Sequence, residues 1–170
     1  IRDYKVTGVQ TCALPIFLLH VACHNPSGAD LTKEQWEEVA KVCIEKDLIP
    51  FFDAAYLGFS ETIVEDSFPV RLFMEKQIEF LLAVSFSKNL SIYGERVGFL
   101  MAFTHEESTQ KVSSQLKALA RRMYSSPPIH SASIVLTILQ DASLMDLWDK
   151  ELMEMKARIQ KMKKLFAEQL

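Results

Sequence analysis

Side chains that could carry chemistry stand directly after three short apolar runs of this sequence. Asn25 follows the first run, Asp53 ends the second with Tyr56 close behind, and Ser85 and Lys88 end the third. A lysine amine can act as a nucleophile or a base, and a carboxylate can hold a proton or a positive charge in place. Taken singly, such residues also suit a turn, a packed ring or a solvated surface. Their recurrence at successive run ends favours a shared site.

The elements that must position these residues alternate between apolar runs and helical patterns. The runs predict strands at residues 17–22, 49–52, 80–84 and 97–103. Capped or amphipathic segments predict helices at residues 32–46, 68–75, 104–121 and 129–140 and from residue 143 onward. Strands that alternate with helices predict an α/β sheet with helices on its faces. Ligands of such sheets bind beyond the carboxyl ends of the strands, where the polar residues stand.

Two local signals refine this arrangement. Thr32 with Gln35, and Thr104 with Glu107, have the spacing of a capping box, so helices are predicted to begin there. No helical pattern separates residues 80–84 from residues 97–103, and the connection is too short and irregular for a parallel crossover. We therefore predict that the fourth strand is antiparallel to the third.

Composition excludes several classes of function. The chain has 170 residues and a net charge of −3, which offers no basic field for nucleic acid or anionic lipid. Its longest nearly apolar stretch runs for twelve residues, from Cys12 to Cys23, and is too short to span a bilayer. Three cysteines without a CxxC pair indicate neither a disulfide scaffold nor a zinc ribbon. We therefore expect a reducing, cytoplasmic setting.

Four motifs in order carry a resemblance to a known family: HNPSG at 24–28, FFDAAYLGF at 51–59, SFSKNLSIYGERVG at 85–98 and RRMYSSPP at 121–128. They resemble the aspartate aminotransferases, which belong to the class I pyridoxal-phosphate-dependent aminotransferases. The resemblance implies the C-terminal half of a fold-type I large domain: a mostly parallel sheet with one antiparallel strand, helices on its faces, and a long final helix toward a small domain. It also implies a homodimer that transfers an amino group between aspartate and 2-oxoglutarate. An aromatic-amino-acid aminotransferase of the same family is the alternative.

The resemblance gives four residues roles around the cofactor, pyridoxal 5'-phosphate. Lys88 matches the lysine that binds it through a Schiff base and later moves the substrate's α-proton. Asp53 matches the aspartate that keeps the pyridine nitrogen protonated. Asn25 and Tyr56 match the residues that hydrogen-bond the phenolic oxygen, and Asn25 also contacts substrate. Lys88, Asp53 and Tyr56 are therefore the expected catalytic residues.

The remaining family residues bind anionic groups. Ser85 and Arg96 match ligands of the cofactor's phosphate, which suits a guanidinium fork. Arg121 matches the arginine that reaches into the neighbouring subunit and binds the distal carboxylate of aspartate or glutamate. Arg122 replaces a proline that is usual in the family, and Ser126 replaces a common asparagine. These departures affect the motif that carries Arg121.

The domain organisation follows from the same resemblance. The string RDYKVTGVQTCALPI resembles a translated sequencing adapter, so we expect residues 1–16 to be a non-native leader. Residues 17–140 would form part of the cofactor-binding large domain, and residues 141–170 would begin the helix to the small domain. Ile1 in place of Met, and a final helical pattern with no Gly or Pro, predict that the chain is a piece of a longer protein.

The family also requires parts for which these residues offer no counterpart. They are an upstream backbone cradle for the phosphate, an aromatic ring that stacks on the cofactor, and the arginine for the substrate's α-carboxylate. A folded but catalytically inactive fragment is therefore the second interpretation of the 170-residue chain itself.

Two other interpretations concern the same residues. Ser85 and Lys88 satisfy the S-x-x-K motif of serine β-lactamases, but the S-D-N and K-T-G elements of that class do not occur in the sequence. His20, Cys23 and His24 have a spacing that could hold a metal on a helix, but they fall on a predicted strand and its exit loop. We predict no metal site.

Overall fold

A computed structural model describes residues 15–169, in which four strands form one sheet. The strands are β1 (Ile16–His20), β2 (Ile49–Ala54), β3 (Phe80–Ser85) and β4 (Gly98–Phe103), in that spatial order. β1 pairs with β2 and β2 with β3 in parallel, whereas β3 and β4 are antiparallel. The predicted α/β class and the antiparallel fourth strand are confirmed. The predicted leader at residues 1–16 falls almost entirely outside the described residues.

Helices fill the connections of the sheet. They are α1 (Lys33–Glu45), α2 (Ile63–Asp66), α3 (Phe68–Glu75), α4 (Glu106–Met123), α5 (Ile129–Gln140) and α6 (Ala142–Ala167), with a 3₁₀ turn at Tyr93–Glu95. The one-turn helix α2 was missed, since the sequence analysis predicts no helix between the strand at 49–52 and the helix at 68–75. Thr62 begins it, because its side chain accepts a hydrogen bond from the Glu65 N–H at 3.1 Å.

The two predicted capping boxes differ in outcome. Thr32 and Gln35 form theirs: the Thr32 N–H donates to the Gln35 side chain at 2.9 Å, and the Gln35 N–H donates to the Thr32 hydroxyl at 3.3 Å. The box at Thr104 and Glu107 is wrong. The His105 N–H donates to Glu79 at 2.9 Å instead, so His105 becomes the N-cap residue and α4 begins at Glu106.

The final helix also begins earlier than its apolar pattern predicts. The Asp141 carboxylate accepts hydrogen bonds from the backbone of Ser143 and Leu144 at 2.8 and 3.0 Å, and α6 begins at Ala142. No helix within residues 15–169 is both long and apolar enough to cross a membrane.

Alternate residues of β2 and β3 form the core. Phe52 is completely buried and lies at the centre, with ring centroids 5.1 Å from Phe73, 5.3 Å from Phe80 and 6.1 Å from Trp36. The buried side chains of α1 and α3 cover this face of the sheet. The other face, which carries Asp53, is only half-buried. Asp53 therefore lies next to the core residue Phe52 in the chain, but its side chain is not part of the core.

Candidate active site

The carboxyl ends of the three parallel strands lie at the same end of the sheet, as the sequence predicts. β2 extends to Ala54, two residues beyond the predicted end, so Asp53 lies within the strand rather than after it. In the register of the sheet, Asp53 stands opposite His20 of β1 and Ala83 of β3. Because side chains alternate along a strand, Asp53 faces away from the buried Phe52. This carboxylate therefore belongs to the half-buried face near the strand exits.

Lys88 and Tyr56 meet beyond this edge. Tyr56 lies in the loop after β2 and Lys88 in the loop after β3, and both side chains are half-buried. The Lys88 Nζ atom lies 4.6 Å from the centroid of the Tyr56 ring. A cation at this distance is attracted by the ring face. The structure thus brings together two of the three residues that the sequence assigns to catalysis, across 32 residues of chain.

Arg96 and two serines are linked by hydrogen bonds at the end of β3 and in the loop that carries Lys88. The Arg96 guanidinium donates to the Tyr93 carbonyl at 3.0 Å and to the Ser87 hydroxyl at 3.3 Å. The Ser87 N–H in turn donates to the Ser85 hydroxyl at 3.3 Å. Ser87 is 4% exposed, and it was missed by the sequence interpretation although it precedes Lys88 directly. A guanidinium beside hydroxyl groups is chemically suited to a phosphate.

The loop that carries Tyr56 is organised by a buried carboxylate. Asp66 Oδ2 accepts hydrogen bonds from the N–H groups of Gly58 at 2.7 Å and Ser60 at 3.3 Å, and Oδ1 accepts one from Glu61 at 2.8 Å. Burial raises the pKa of the Asp66 carboxyl, and the three backbone donors oppose that shift. No motif marked Asp66, because its role is visible only when the loop is folded around it.

Replacing Asp66 by Asn is expected to destabilise this loop. An amide has one oxygen where the carboxylate has two, so an N–H group of Asn would face at least one backbone N–H. We expect a loss of about 1–3 kcal/mol in the free energy of unfolding, measured with urea. Asp146→Asn, on the exposed surface of α6, is the matched control and should change stability by less than about 0.5 kcal/mol. Equal stability of the two variants would contradict this role.

Two predicted site residues stand apart from the cluster. Asn25 is exposed in the loop after β1, where its backbone N–H donates to His20 Nδ1 at 3.3 Å. Arg121 lies in the last turn of α4, is exposed, and has no hydrogen-bond or ion-pair partner among residues 15–169. The structure therefore does not join Arg121 to Lys88 within one chain.

His20, Cys23 and His24, whose spacing raised the alternative of a metal site, lie at the end of β1 and in the loop after it. The two imidazole rings are 4.9 Å apart, and His24 Nδ1 lies 2.6 Å from the Ser27 hydroxyl. Burial, followed by the charge of Asp30, raises the pKa of the Cys23 thiol to about 11. In the described part of the chain, no group of three or more His, Cys, Asp or Glu residues is arranged to hold a metal ion.

Helix α6 completes the surroundings of the amine. An open hollow of about 420 Å³ is lined by Lys88, by Phe59 and Tyr93, and by Ile159, Met162 and Lys163 of α6. Lys88, in the loop after β3, and Lys163, in α6, therefore line the same hollow. Of these two lysines, Lys88 is the one whose amine lies over the Tyr56 ring.

Known sequences resemble this chain well beyond its four motifs. The family described as "Aminotransferase class I and II" matches residues 8–170, beginning inside the segment that was expected to be a leader. Aspartate aminotransferase of Pseudomonas aeruginosa is 44% identical over 162 residues, covering 93% of this chain and 41% of that protein. "Aspartate aminotransferase, cytoplasmic" of Dictyostelium discoideum is 47% identical over 146 residues, covering 85% and 33%. The chain thus spans about two fifths or less of the relatives' length.

Solved structures give the same result for the fold. A Burkholderia pseudomallei aromatic-amino-acid aminotransferase covalently bound to pyridoxal phosphate has a TM-score of 0.86 at 42% identity, covering 92% of this chain and 40% of its own. Aspartate aminotransferase of Trypanosoma cruzi has a TM-score of 0.84 at 38% identity, covering 90% and 40%. The resemblance that the four motifs predict, and the fold class that it implies, are confirmed.

Proposed function

Because this chain belongs to the class I and II aminotransferases, we propose that it forms the pyridoxal-phosphate-binding part of an enzyme that transfers an amino group between aspartate and 2-oxoglutarate. The observation that carries the proposal is the Lys88 amine, held 4.6 Å from the Tyr56 ring at the sheet edge that also bears Asp53. An amine, a phenol and a carboxylate at one edge are the groups that this chemistry needs.

The donor set fits the cofactor's ring. Lys88 Nζ would bind its aldehyde carbon covalently, and the Asp53 carboxylate would hold a proton on its pyridine nitrogen. The Tyr56 hydroxyl and the Asn25 amide would donate to its phenolic oxygen. Tyr56 is already adjacent to the amine, and the backbone of Asn25 is tied to His20, the register partner of Asp53. These contacts support a single site built from all three strand exits.

The donor set also fits the cofactor's phosphate. Arg96 and Ser85 are the residues that we propose as its ligands, and Ser87 links them by two hydrogen bonds of 3.3 Å each. A dianion would compete for the Arg96 guanidinium, which at present donates to Ser87 and to a backbone carbonyl. Arg96 holds this pose with a left-handed backbone, at φ 52° and ψ 51°.

The chemistry of transfer then divides between the residues. When bound, pyridoxal phosphate supplies an electron sink for the negative charge that develops on the substrate's α-carbon. Once the substrate's amino group has displaced it from the aldehyde carbon, Lys88 Nζ would take the proton from the α-carbon as a general base and deliver it, as a general acid, to that former aldehyde carbon of the cofactor. The Asp53 carboxylate would keep the pyridine nitrogen protonated, and the Tyr56 ring would fix the position of the Lys88 amine. The partial burial of Lys88 limits the water that competes for this proton.

Borohydride reduction tests the proposal directly. In a full-length protein that carries these residues, loaded with pyridoxal phosphate and reduced, we expect a pyridoxyl group on Lys88, located by peptide mass spectrometry. Lys163 is the matched control, because it lines the same hollow. Lys88→Arg should abolish the stoichiometric label, and Lys163→Arg should retain it. A label on Lys163 with Lys88 unmodified would overturn the assignment.

The preference between dicarboxylic and aromatic amino acids is a separate part of the proposal. The matching relatives include several named aspartate aminotransferase, whereas three of the solved structures are named aromatic amino acid aminotransferases. We assign the preference for dicarboxylates to Arg121, whose exposed side chain has no partner among residues 15–169. In a homodimer, this free guanidinium would reach the partner's substrate and bind its distal carboxylate in a bidentate pair.

Arg121→Ala should therefore reduce activity selectively. We expect kcat/KM for aspartate and glutamate to fall by about 100-fold, the equivalent of one or two charge-assisted hydrogen bonds, with little change for tyrosine or phenylalanine. Arg122→Ala is the matched control, since it removes the adjacent exposed arginine. Steady-state kinetics with both substrate classes give the answer. An equal loss for dicarboxylic and aromatic substrates would refute the proposed contact.

We place this enzyme in the cytoplasm as a homodimer that binds neither nucleic acid nor membrane. The free thiols of Cys23 and Cys43 support the cytoplasmic placement, and the net charge of −3 is unfavourable for binding nucleic acid or an anionic membrane.

The second candidate is that these 170 residues by themselves fold but are catalytically inactive. It is favoured by one observation, namely that the chain spans 41% of the Pseudomonas relative and 39% of the Escherichia coli relative.

A further inference from the structure

Helix α6 lies against both loops that carry the proposed catalytic pair. We propose that α6 positions Lys88 relative to Tyr56, with Trp148 holding the loop of Lys88 and Leu152 holding the loop of Tyr56. The inference rests on the proposed function for the roles of Lys88 and Tyr56. Trp148, Leu152 and Lys156 are spaced four residues apart, so they share one face of the helix.

Trp148 fixes the backbone beside Lys88. Its indole N–H donates to the Asn89 carbonyl at 2.7 Å, across 59 residues of chain. Asn89 follows Lys88 directly and is 2% exposed. The Ser91 hydroxyl, two residues further along the loop, lies 3.7 Å from the Met155 sulfur of the same helix. The hydrogen bond from the Trp148 indole fixes both the position and the direction of the Asn89 carbonyl. The backbone of Lys88, which precedes Asn89 directly, is therefore restrained as well.

Leu152 and Lys156 fix the loop of Tyr56. Leu152 is 2% exposed and packs so closely on Gly58 that a Cβ atom at that position would overlap its side chain. Gly58 has a φ of +90°, which also favours glycine. One turn later, Lys156 Nζ donates to the Glu61 carbonyl at 2.8 Å and lies 3.2 Å from its carboxylate.

The sheet by itself does not set the distance between the pair. β2 ends at Ala54, two residues before Tyr56, and β3 ends at Ser85, three residues before Lys88. Beyond these ends, each loop has contacts of its own, such as those of Asp66 in the loop of Tyr56. Helix α6 contacts both loops, through Trp148 and Leu152, and it therefore couples the position of the Lys88 amine to that of the Tyr56 ring.

Trp148→Phe in the full-length holoenzyme tests the proposal, because it keeps an aromatic ring and removes the N–H donor. We expect kcat/KM for aspartate to fall by about 3- to 10-fold, the effect of one hydrogen bond. A second readout is the absorbance of the bound cofactor titrated against pH. Its midpoint should move, because the surroundings of the Lys88 linkage change. Leu147→Ala, at the exposed neighbouring position, is the matched control and should leave the midpoint in place.

A merely structural role for Trp148 would lower thermal stability and leave the titration midpoint of the folded variant unchanged, and that result overturns the proposal. If Trp148→Phe fails to fold, Lys156→Met decides, since it breaks only the contacts to Glu61 and should move the midpoint in turn. An unmoved midpoint in Lys156→Met then overturns the proposal. Failure of the proposed function is distinguished by the wild-type protein, in which borohydride would label a lysine other than Lys88.

Discussion

The 170-residue chain, purified by itself, should show no measurable transamination of aspartate with 2-oxoglutarate. By our proposal it would supply Lys88, Asp53 and Tyr56 to the cofactor's ring and Ser85 and Arg96 to its phosphate. The family's other phosphate donors, its stacking ring and its arginine for the α-carboxylate would come from the larger part of a relative's length, which this chain does not cover. A substrate held without its α-carboxylate contact is poorly oriented for proton transfer to Lys88 Nζ.

Cofactor affinity should fall for the same reason. Charge-assisted hydrogen bonds contribute about 1.5–3 kcal/mol each, so the loss of two corresponds to a weakening of about 10²- to 10⁴-fold. Titration with pyridoxal phosphate, followed by absorbance, measures the affinity, and a full-length protein that carries the same residues is the control. Lys88→Arg in the 170-residue chain distinguishes specific from adventitious binding. Tight, saturable binding with turnover close to that of the full-length protein would show that the missing contacts matter less than we expect.

Phe52→Ala should cause the largest loss of stability of any single truncation in the sheet. Phe52 is completely buried and lies among three aromatic rings, so its removal leaves a cavity as well as lost contacts. Truncation of such a ring costs about 3–5 kcal/mol. A domain of ordinary stability has about 5–15 kcal/mol in total, so the variant should retain little.

Urea unfolding of the 170-residue chain, followed by circular dichroism, measures the effect. Phe166→Ala is the matched control, because that ring is 66% exposed in α6 and should contribute less than about 1 kcal/mol. Asp53 lies on the opposite face of β2, so Asp53→Ala should also be tolerated by the fold. Similar losses for Phe52→Ala and Phe166→Ala would place the core of this sheet elsewhere.

The predicted elements followed from signals that lie within a few residues of one another. The helix at Phe68–Glu75 has the predicted bounds, and the box of Thr32 and Gln35 forms as predicted. β4 is antiparallel because the chain between β3 and β4 holds only a short 3₁₀ turn and no α-helix for a parallel crossover. At the start of α4 the prediction was wrong because a distant residue intervened: Glu79, 26 residues away, accepts the hydrogen bond of the His105 N–H.

Local chemistry by itself determined the order of strands and helices, the motif that contains Lys88 and the family to which the chain belongs, because strand periodicity and motif spacing are properties of neighbouring residues. Only the tertiary structure decided which groups meet: the Lys88 amine with the Tyr56 ring, Ser87 with Arg96, Asp66 with three backbone N–H groups, and Trp148 with the Asn89 carbonyl. No pattern reveals such contacts, since each depends on where two elements pack once the core around Phe52 has formed. Distances between groups on separate loops are set by that packing, and the proposed chemistry depends on them.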